Sequence, residues 1–296
     1  LAHDLRCRCD LLHAPGYVMP LNWHGPSVLT VYDVIALQFP HLCKTSNVWH
    51  YRVMLPRSLR RATAVVVPTE TVARDVRRLA PDVGEKLRVI PLGIGDQYRP
   101  VGAAEVAEVR ERLGLPERFI LCVGNVEPKK NLPAVIRAFA GVADRAPHHL
   151  VVAGRPAWGA DAVAAAQRRS VGTDKVVALG YVAPADLPAL YTAADLLVQW
   201  SLYEGMGLPP LEAMACGTPV LVSDGGALPE VAGPAAEVVP LGPPERLAEG
   251  LQRLLSNETR LAELRAAGLR HAAQFTWQRH ARAVVALYEE VRHAQS

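Results

Sequence analysis

Several things are scarce in this sequence, and each scarcity removes a class of protein. Only five of the 296 residues are lysine, against 27 arginines, and aromatic residues make up 6%. No run approaches the 18 or more apolar residues of a membrane-spanning helix. Arg6 and Arg8 are not followed by an apolar stretch, so no signal peptide is expected. The five cysteines are an odd number. Cys7 and Cys9 stand two apart, and Cys43, Cys122 and Cys216 are scattered, with no Cys-x-x-Cys. That usage reads as reduced thiols in a cytoplasmic protein, not a disulfide framework or a zinc ribbon. There is no Asp-x-Asp and no His-x-x-x-His, so no metal site is expected.

What is present is an ordinary globular composition, half apolar and 21% charged, in a chain long enough for two domains. The net charge of +3 hides an asymmetry: residues 44–99 hold eleven Lys and Arg against five Asp and Glu. Arg57, Arg60 and Arg61, then Arg74, Arg77 and Arg78, fall at helical spacings. They form either a solvated helix face or a contact with an anionic membrane surface, which would place the protein peripherally on the inner face of the cytoplasmic membrane. Few aromatics accompany these charges and no binding motif appears, so nucleic acid is not an expected partner.

Strands and helices alternate along the chain. Apolar runs at residues 10–15, 27–33, 64–68 and 87–91 read as strands, with helices over 47–61 and from Thr69, as N-cap, to Leu79. A second series begins at Arg118: strands at 118–124, 149–153, 176–179, 195–200, 219–223 and 236–239, separated by helices. The pattern predicts an α/β protein of two Rossmann-like, doubly wound parallel-sheet domains. The expected boundaries are a partial N-terminal domain over 1–98, a linker over 99–117, and a second domain over 118–276. Four strands in the first domain are few, and the expectation is that about two βα units are missing upstream.

One stretch organises the rest: Ser201-Leu202-Tyr203-Glu204-Gly205-Met206-Gly207-Leu208-Pro209-Pro210-Leu211-Glu212-Ala213-Met214-Ala215-Cys216-Gly217. It follows one buried strand and precedes another. Pro209 and Pro210 suit a helix's first turn and Gly217 its end. Gly205 and Gly207 let backbone approach a ligand, and the helix start offers N–H groups to a phosphate. Glu212 is expected near the first turn, ionised and accepting hydrogen bonds from sugar hydroxyls. Upstream, Lys129 and Lys130 are adjacent in a tight loop after a strand, in a chain that otherwise prefers arginine. Compact point charges there suit a diphosphate. Asn131 is expected to cap the helix that follows, which is expected to run to about Arg145.

Glu204 and Glu212, set in Ser-Leu-Tyr-Glu-Gly-Met-Gly-Leu-Pro-Pro-Leu-Glu-Ala-Met-Ala-Cys-Gly-Thr-Pro-Val and continued by Leu228-Pro229-Glu230-Val231-Ala232-Gly233, resemble the signature of retaining GT-B glycosyltransferases of family 4. Bacterial mannosyl- and rhamnosyltransferases of surface polysaccharide synthesis are similar. The resemblance implies a metal-independent transfer of a hexose, mannose-type favoured, from a GDP- or UDP-sugar to a glycan or lipid-linked acceptor, with no cofactor. It implies that Glu204 contacts the donor hexose, Glu212 the ribose, Lys130 the phosphates, and the backbone of Gly205, Met206, Gly207 and Leu208 the phosphates or sugar. Asn125 stands where relatives often have Arg, and Lys129 is expected to supply that charge. Val182, in the loop after Gly180 and Tyr181, is expected beside the base. Thr30-Val31-Tyr32-Asp33 stands where relatives read Thr-x-His-Asp. Tyr32 there is either a sugar contact or a packed aromatic. Asp33 is either a site residue or a turn cap. The last helix, 277–296, is implied to cross back to the first domain. Rival readings are a catalytically inactive nucleotide-sugar-binding module, a glycoside hydrolase with Glu204 and Glu212 as its pair, and a membrane-surface scaffold.

Overall fold

A computed structural model of the chain describes residues 9–20, 22–157, 160–169 and 173–293. The chain divides into two compact units: Leu1–Gly93 with Thr276–Ser296, and Ile94–Phe275.

The first unit begins with β1 (Leu12–Ala14), β2 (Ser27–Thr30), α1 (Ile35–Gln38), α2 (Thr45–Arg61), β3 (Ala64–Val67), α3 (Glu70–Leu79) and β4 (Leu87–Val89). Its four strands are parallel and lie in chain order, β1-β2-β3-β4. Every residue of β2 and β3 is buried, as a sheet covered on both faces requires. Thr69 caps α3 by accepting from the Val72 amide at 3.2 Å, in accord with the sequence.

The second unit runs α4 (Ala103–Leu113), β5 (Phe119–Val123), α5 (Leu132–Ala140), β6 (His149–Ala153), α6 (Ala160–Arg169), β7 (Val176–Gly180), α7 (Leu187–Ala193), β8 (Leu196–Gln199), α8 (Leu208–Ala215), β9 (Val220–Val222), α9 (Leu228–Ala232), β10 (Glu237–Val238), α10 (Pro244–Leu255) and α11 (Glu258–Ala272). Its parallel sheet has the order β10-β9-β8-β5-β6-β7. The order reverses between β5 and β8. From that line the chain winds outward in both directions, and the loops leaving β5 and β8 come together beyond the strand ends. This is where doubly wound sheets bind ligands.

The final helix, α12 (Trp277–His293), packs in the first unit. Val284, Leu287 and Val291 bury with Val28, Ala64, Val66 and Ile90, and Tyr288 Oη lies 2.5 Å from His13 Nδ1. Residues 99–117 do not form a free linker: α4 packs against α7 and belongs to the second unit. Helix α5 stops at Ala140, short of the expected Arg145, where Gly141 takes the cap. Asn131 is not a side-chain cap. It adopts a left-handed conformation (φ 54°) after the tight turn Pro128–Lys130, which Asn tolerates better than most residues.

Candidate active site

At the switch point the loop after β5 and the loop after β8 meet. Gly124, at φ 129°, ends β5, and the Lys130 side chain runs across it: a Cβ on Gly124 would stand 3.0 Å from Lys130 Cε. Lys130 Nζ donates to Glu204 Oε1 at 2.7 Å, and Lys129 Nζ lies 3.6 Å from Glu204 Oε2. Gln199, the last residue of β8, donates through Nε2 to Glu204 Oε1 at 3.1 Å. The carboxylate is buried, 6% exposed. Burial alone would raise its pKa. The charges of Lys130 and Lys129 and the Lys130 hydrogen bond outweigh that and hold Glu204 below the ordinary carboxylate range. Glu204 is therefore an ionised group engaged by two ammonium groups. The oxygen of that amide, Gln199 Oε1, is buried with no partner among the described residues. A ligand hydroxyl would satisfy it.

The Glu204 loop is clamped from both sides by backbone. The Leu202 amide donates to the Lys129 carbonyl at 2.7 Å, and the Ala227 amide to the Glu204 carbonyl at 2.8 Å. Ser223 Oγ donates to the Ser201 carbonyl at 2.6 Å. Gly225 and Gly226 permit this approach. A Cβ at Gly225 would meet the Ser201 carbonyl oxygen at 2.3 Å, and one at Gly226 the Glu204 carbonyl oxygen at 2.4 Å.

Gly207, at φ 79°, turns the chain into α8, and no side chain caps that helix start. Pro209 and Pro210 have no N–H, so of the first three residues of α8 only Leu208 can offer an amide to an anion. Gly217, also at φ 79°, follows its far end.

Glu212 corrects the expectation drawn for it. It is the fifth residue of α8, past the first turn, which contains no acidic residue. Burial pushes its carboxyl above the ordinary carboxylate range, and hydrogen bonds from Tyr191 and Tyr98 only partly oppose this. Tyr191 Oη donates to Glu212 Oε2 at 2.7 Å. Tyr98 packs edge-on against Tyr191, ring centroids 6.0 Å apart. Burial, then the adjacent Glu212, raises both phenols, so they stay protonated donors.

Val182 is buried after β7. Its neighbour Tyr181 is 58% exposed, with the Arg155 guanidinium 4.3 Å over its ring. Asn125 enters the loop after β5, where Glu127 N–H closes onto its carbonyl at 2.8 Å. Tyr32 and Asp33 lie in the first unit. Tyr32 packs edge-on to Tyr17, centroids 5.9 Å apart. Asp33 Oδ1 accepts from the Ile35 amide at 3.1 Å and so opens α1. Among the described residues, no three His, Cys, Asp or Glu side chains converge in a way that could hold a metal, and no helix is long and apolar enough to cross a membrane.

Four partners were not read from the sequence: Gln199, Tyr98, Tyr191 and the Gly225-Gly226 pair. Gln199 carried a signal, being a polar residue ending an apolar strand. The tyrosines carried none, because their link to Glu212 is made only by folding.

The comparisons with known proteins identify the family and the fold. The family model described as glycosyl transferases group 1 matches residues 105–288. O-antigen chain mannosyltransferase B of Escherichia coli is 28% identical over 271 residues, covering 90% of this chain and 71% of the relative. A D-inositol 3-phosphate glycosyltransferase of Thermobispora bispora is 35% identical over 248 residues, covering 77% of this chain and 56% of the relative. The solved structure of a sucrose-phosphate synthase from Thermosynechococcus elongatus matches with a TM-score of 0.77 at 25% identity, over 92% of this chain and 69% of that one. The fold is thus GT-B, in a chain shorter than these relatives. A group 1 match over most of the second unit, on a site of paired lysines and a buried glutamate at the switch point, makes this chain a member of the glycosyl transferases group 1 family.

Proposed function

We propose that the chain moves a hexose, mannose-type favoured, from a GDP- or UDP-sugar to a glycan or lipid-linked acceptor, with retention and without a metal ion. The observation that carries this is the meeting of Lys129, Lys130 and Glu204 at the switch point of the second unit. Two ammonium groups gather at one carboxylate, where a diphosphate leaving group would gather negative charge. The open start of α8 adds its dipole. Glu204 and Gln199 offer acceptors to the donor hexose, and Glu212 to the ribose. Loop residues 181–182, with Arg155 over Tyr181, suit the base. Tyr32 and Asp33 belong to the acceptor-side unit. Glu204 is bound to two lysines and so is poorly suited to attack carbon, which agrees with a front-side transfer that uses no covalent enzyme intermediate. The mannose preference rests on the O-antigen mannosyltransferase relative.

Helix α2 has no acidic residue, and Trp49 and Val53 project from it, 62% and 44% exposed, beside Arg52, Arg57 and Arg60. This face suits an anionic membrane surface, and co-sedimentation with anionic against neutral liposomes tests it. The arginines of α3 are spent closer to home: Arg77 pairs with Glu70 and Arg78 with Asp75.

The function is tested by thermal-shift titration with UDP, GDP and ADP, with and without EDTA, followed by transfer from the matching nucleotide sugars and NMR of the product's anomeric proton. A rise with one nucleotide that EDTA leaves unchanged, with transfer and retention, is the expected result. Binding without transfer to any acceptor would favour the inactive module instead.

A further inference from the structure

Lys130, Lys129 and Gln199 engage the Glu204 carboxylate from unequal supports. The two lysines belong to the tight turn Pro128–Lys130. Gln199 ends β8, every residue of which is buried. It pairs with Val222 of β9, and its carbonyl accepts from the Ser223 amide at 3.1 Å. The next residue is pinned too: Trp200 Nε1 donates to the Val239 carbonyl at 2.9 Å. A group carried on a strand is placed more precisely than one on a loop.

Gln199 is a polar side chain in an apolar strand, 5% exposed. Burying an amide costs stability unless it is hydrogen-bonded, so the strand alone would favour an apolar residue here. The amide is also held in one pose. The space beside it, lined by Gly124, Lys130, Val198, Trp200 and Ser201 among others, has a volume of about 10 Å³, no more than a single water needs. Gly207 borders it as well: a Cβ there would stand 3.9 Å from Gln199 Nε2. Turning the amide over would set Oε1 against the carboxylate, acceptor against acceptor, so Nε2 faces Glu204.

The three partners differ in what else attracts them. A lysine ammonium is a compact charge on a flexible stem, with three donors to share. In the transferase reading a diphosphate comes to these lysines, and its charge draws the ammonium groups toward it. Whatever hydrogen bonding they give the phosphates is withdrawn from Glu204. Gln199 carries no charge, so the diphosphate does not compete for it in this way. We propose that Gln199 is a positioning residue for sugar transfer: it keeps the Glu204 carboxylate aimed while Lys129 and Lys130 turn to the donor's diphosphate. The proposal deepens the transferase reading and rests on it for the diphosphate and the hexose. The hold of Gln199 on Glu204 is independent of that reading.

The test uses the full chain with Gln199→Met, which keeps the length of the side chain and removes the amide, and Gln199→Glu, which keeps the shape and has no donor when ionised. GDP, UDP and their sugar nucleotides are titrated calorimetrically, and transfer is followed by steady-state kinetics. Two variants of different polarity guard against one that fails to fold, and a cooperative melt certifies each. Free nucleotide affinity should stay within about twofold of the native chain, while kcat/KM for the sugar nucleotide should fall about tenfold or more. A merely structural role would weaken both. The effect should also depend on Glu204: in a Glu204→Gln background, Gln199→Met should cost sugar-nucleotide affinity no more than about twofold further. The carboxyl that Gln199→Glu introduces comes to share a proton with Glu204 as the pH falls. Its loss of transfer, taken relative to Gln199→Met, should therefore narrow from about pH 8 to about pH 6. Equal loss of free and sugar nucleotide, a full further loss in the Glu204→Gln background, or transfer by Gln199→Met at the native rate would overturn the proposal. A native chain that binds and transfers while the variants match it overturns this proposal alone. A native chain that binds neither nucleotide nor sugar nucleotide overturns the transferase reading and this proposal with it.

Discussion

Lys130 Nζ stands 2.7 Å from Glu204 Oε1 in a buried pair that joins the loops leaving β5 and β8. The pair spans 74 residues of sequence and ties the two loops together. Removing one member of a buried pair leaves the other desolvated and uncompensated, typically costing about 3–5 kcal/mol. Lys129, at 3.6 Å, remains as partial compensation. Lys130→Met should therefore destabilise the fold toward the lower end of that range in urea unfolding. Adding Glu204→Gln to Lys130→Met should restore part of the loss. A single-variant loss under about 1 kcal/mol would show that the pair is solvated and not part of the scaffold.

The local parts of this site were legible because their signals are local. Glycine spacing, prolines after Leu208 and lysines in a turn each mark backbone conformation or charge within a few residues. The alternation of apolar runs likewise gave the two parallel sheets and the strand on either side of Glu204. What needed the fold was every contact across the sheet. Glu212 read as a carboxylate near the first turn because its helix start was legible, yet its environment is set by Tyr98 and Tyr191, 114 and 21 residues away. The group of α4 with α7 was hidden for the same reason: Gly and Pro around α4 look like a linker until packing assigns the helix to a unit.

The two glutamates should separate by ligand. Glu212→Ala should weaken free nucleotide about tenfold or more in calorimetric titration, the loss of a charged hydrogen-bond acceptor. Glu204→Ala should leave free nucleotide nearly unchanged and weaken the sugar nucleotide. Equal loss of free nucleotide in both variants would reject this division of roles.

The phenols on Glu212 tune its protonation. Burial raises the Glu212 carboxyl, and Tyr191 and Tyr98 draw it back down. Tyr98→Phe removes one of these donors, so the carboxyl should rise further. Ribose hydroxyls donate to the ionised form, which is present above the folded pKa. The acid limb of nucleotide affinity should then move to higher pH in Tyr98→Phe, with affinity at alkaline pH changed much less. An unmoved limb would mean that Glu212 does not bind the nucleotide, or that Tyr98 does not reach it.

Glu204 makes the opposite contribution to stability. Its folded pKa is depressed, so the stabilisation is present above the unfolded carboxylate pKa and is lost as pH falls through the folded value. Denaturant midpoints of the native chain should fall on acidification more steeply than those of Glu204→Gln, which has no group to protonate there. Parallel profiles would place the acid sensitivity elsewhere.

The glycine clamp can be tested against a glycine of matching backbone. Gly114 and Gly226 share φ 62°, so alanine at either site meets the same intrinsic left-handed strain, about 1–2 kcal/mol. Their surroundings differ. A Cβ at Gly114 meets nothing within 4 Å, whereas one at Gly226 stands 2.4 Å from the Glu204 carbonyl oxygen and 2.7 Å from the Glu204 amide nitrogen. Neither neighbour is a flexible side chain; both are the backbone that aims the site carboxylate. Gly114→Ala should lower stability by the strain alone and leave sugar transfer intact. Gly226→Ala should lose more stability and, because it displaces Glu204, lose transfer even at temperatures where it remains folded. If the two variants lose stability equally and both keep full transfer, the loop bearing Glu204 tolerates displacement, and tight packing by Gly225 and Gly226 is not what positions the carboxylate.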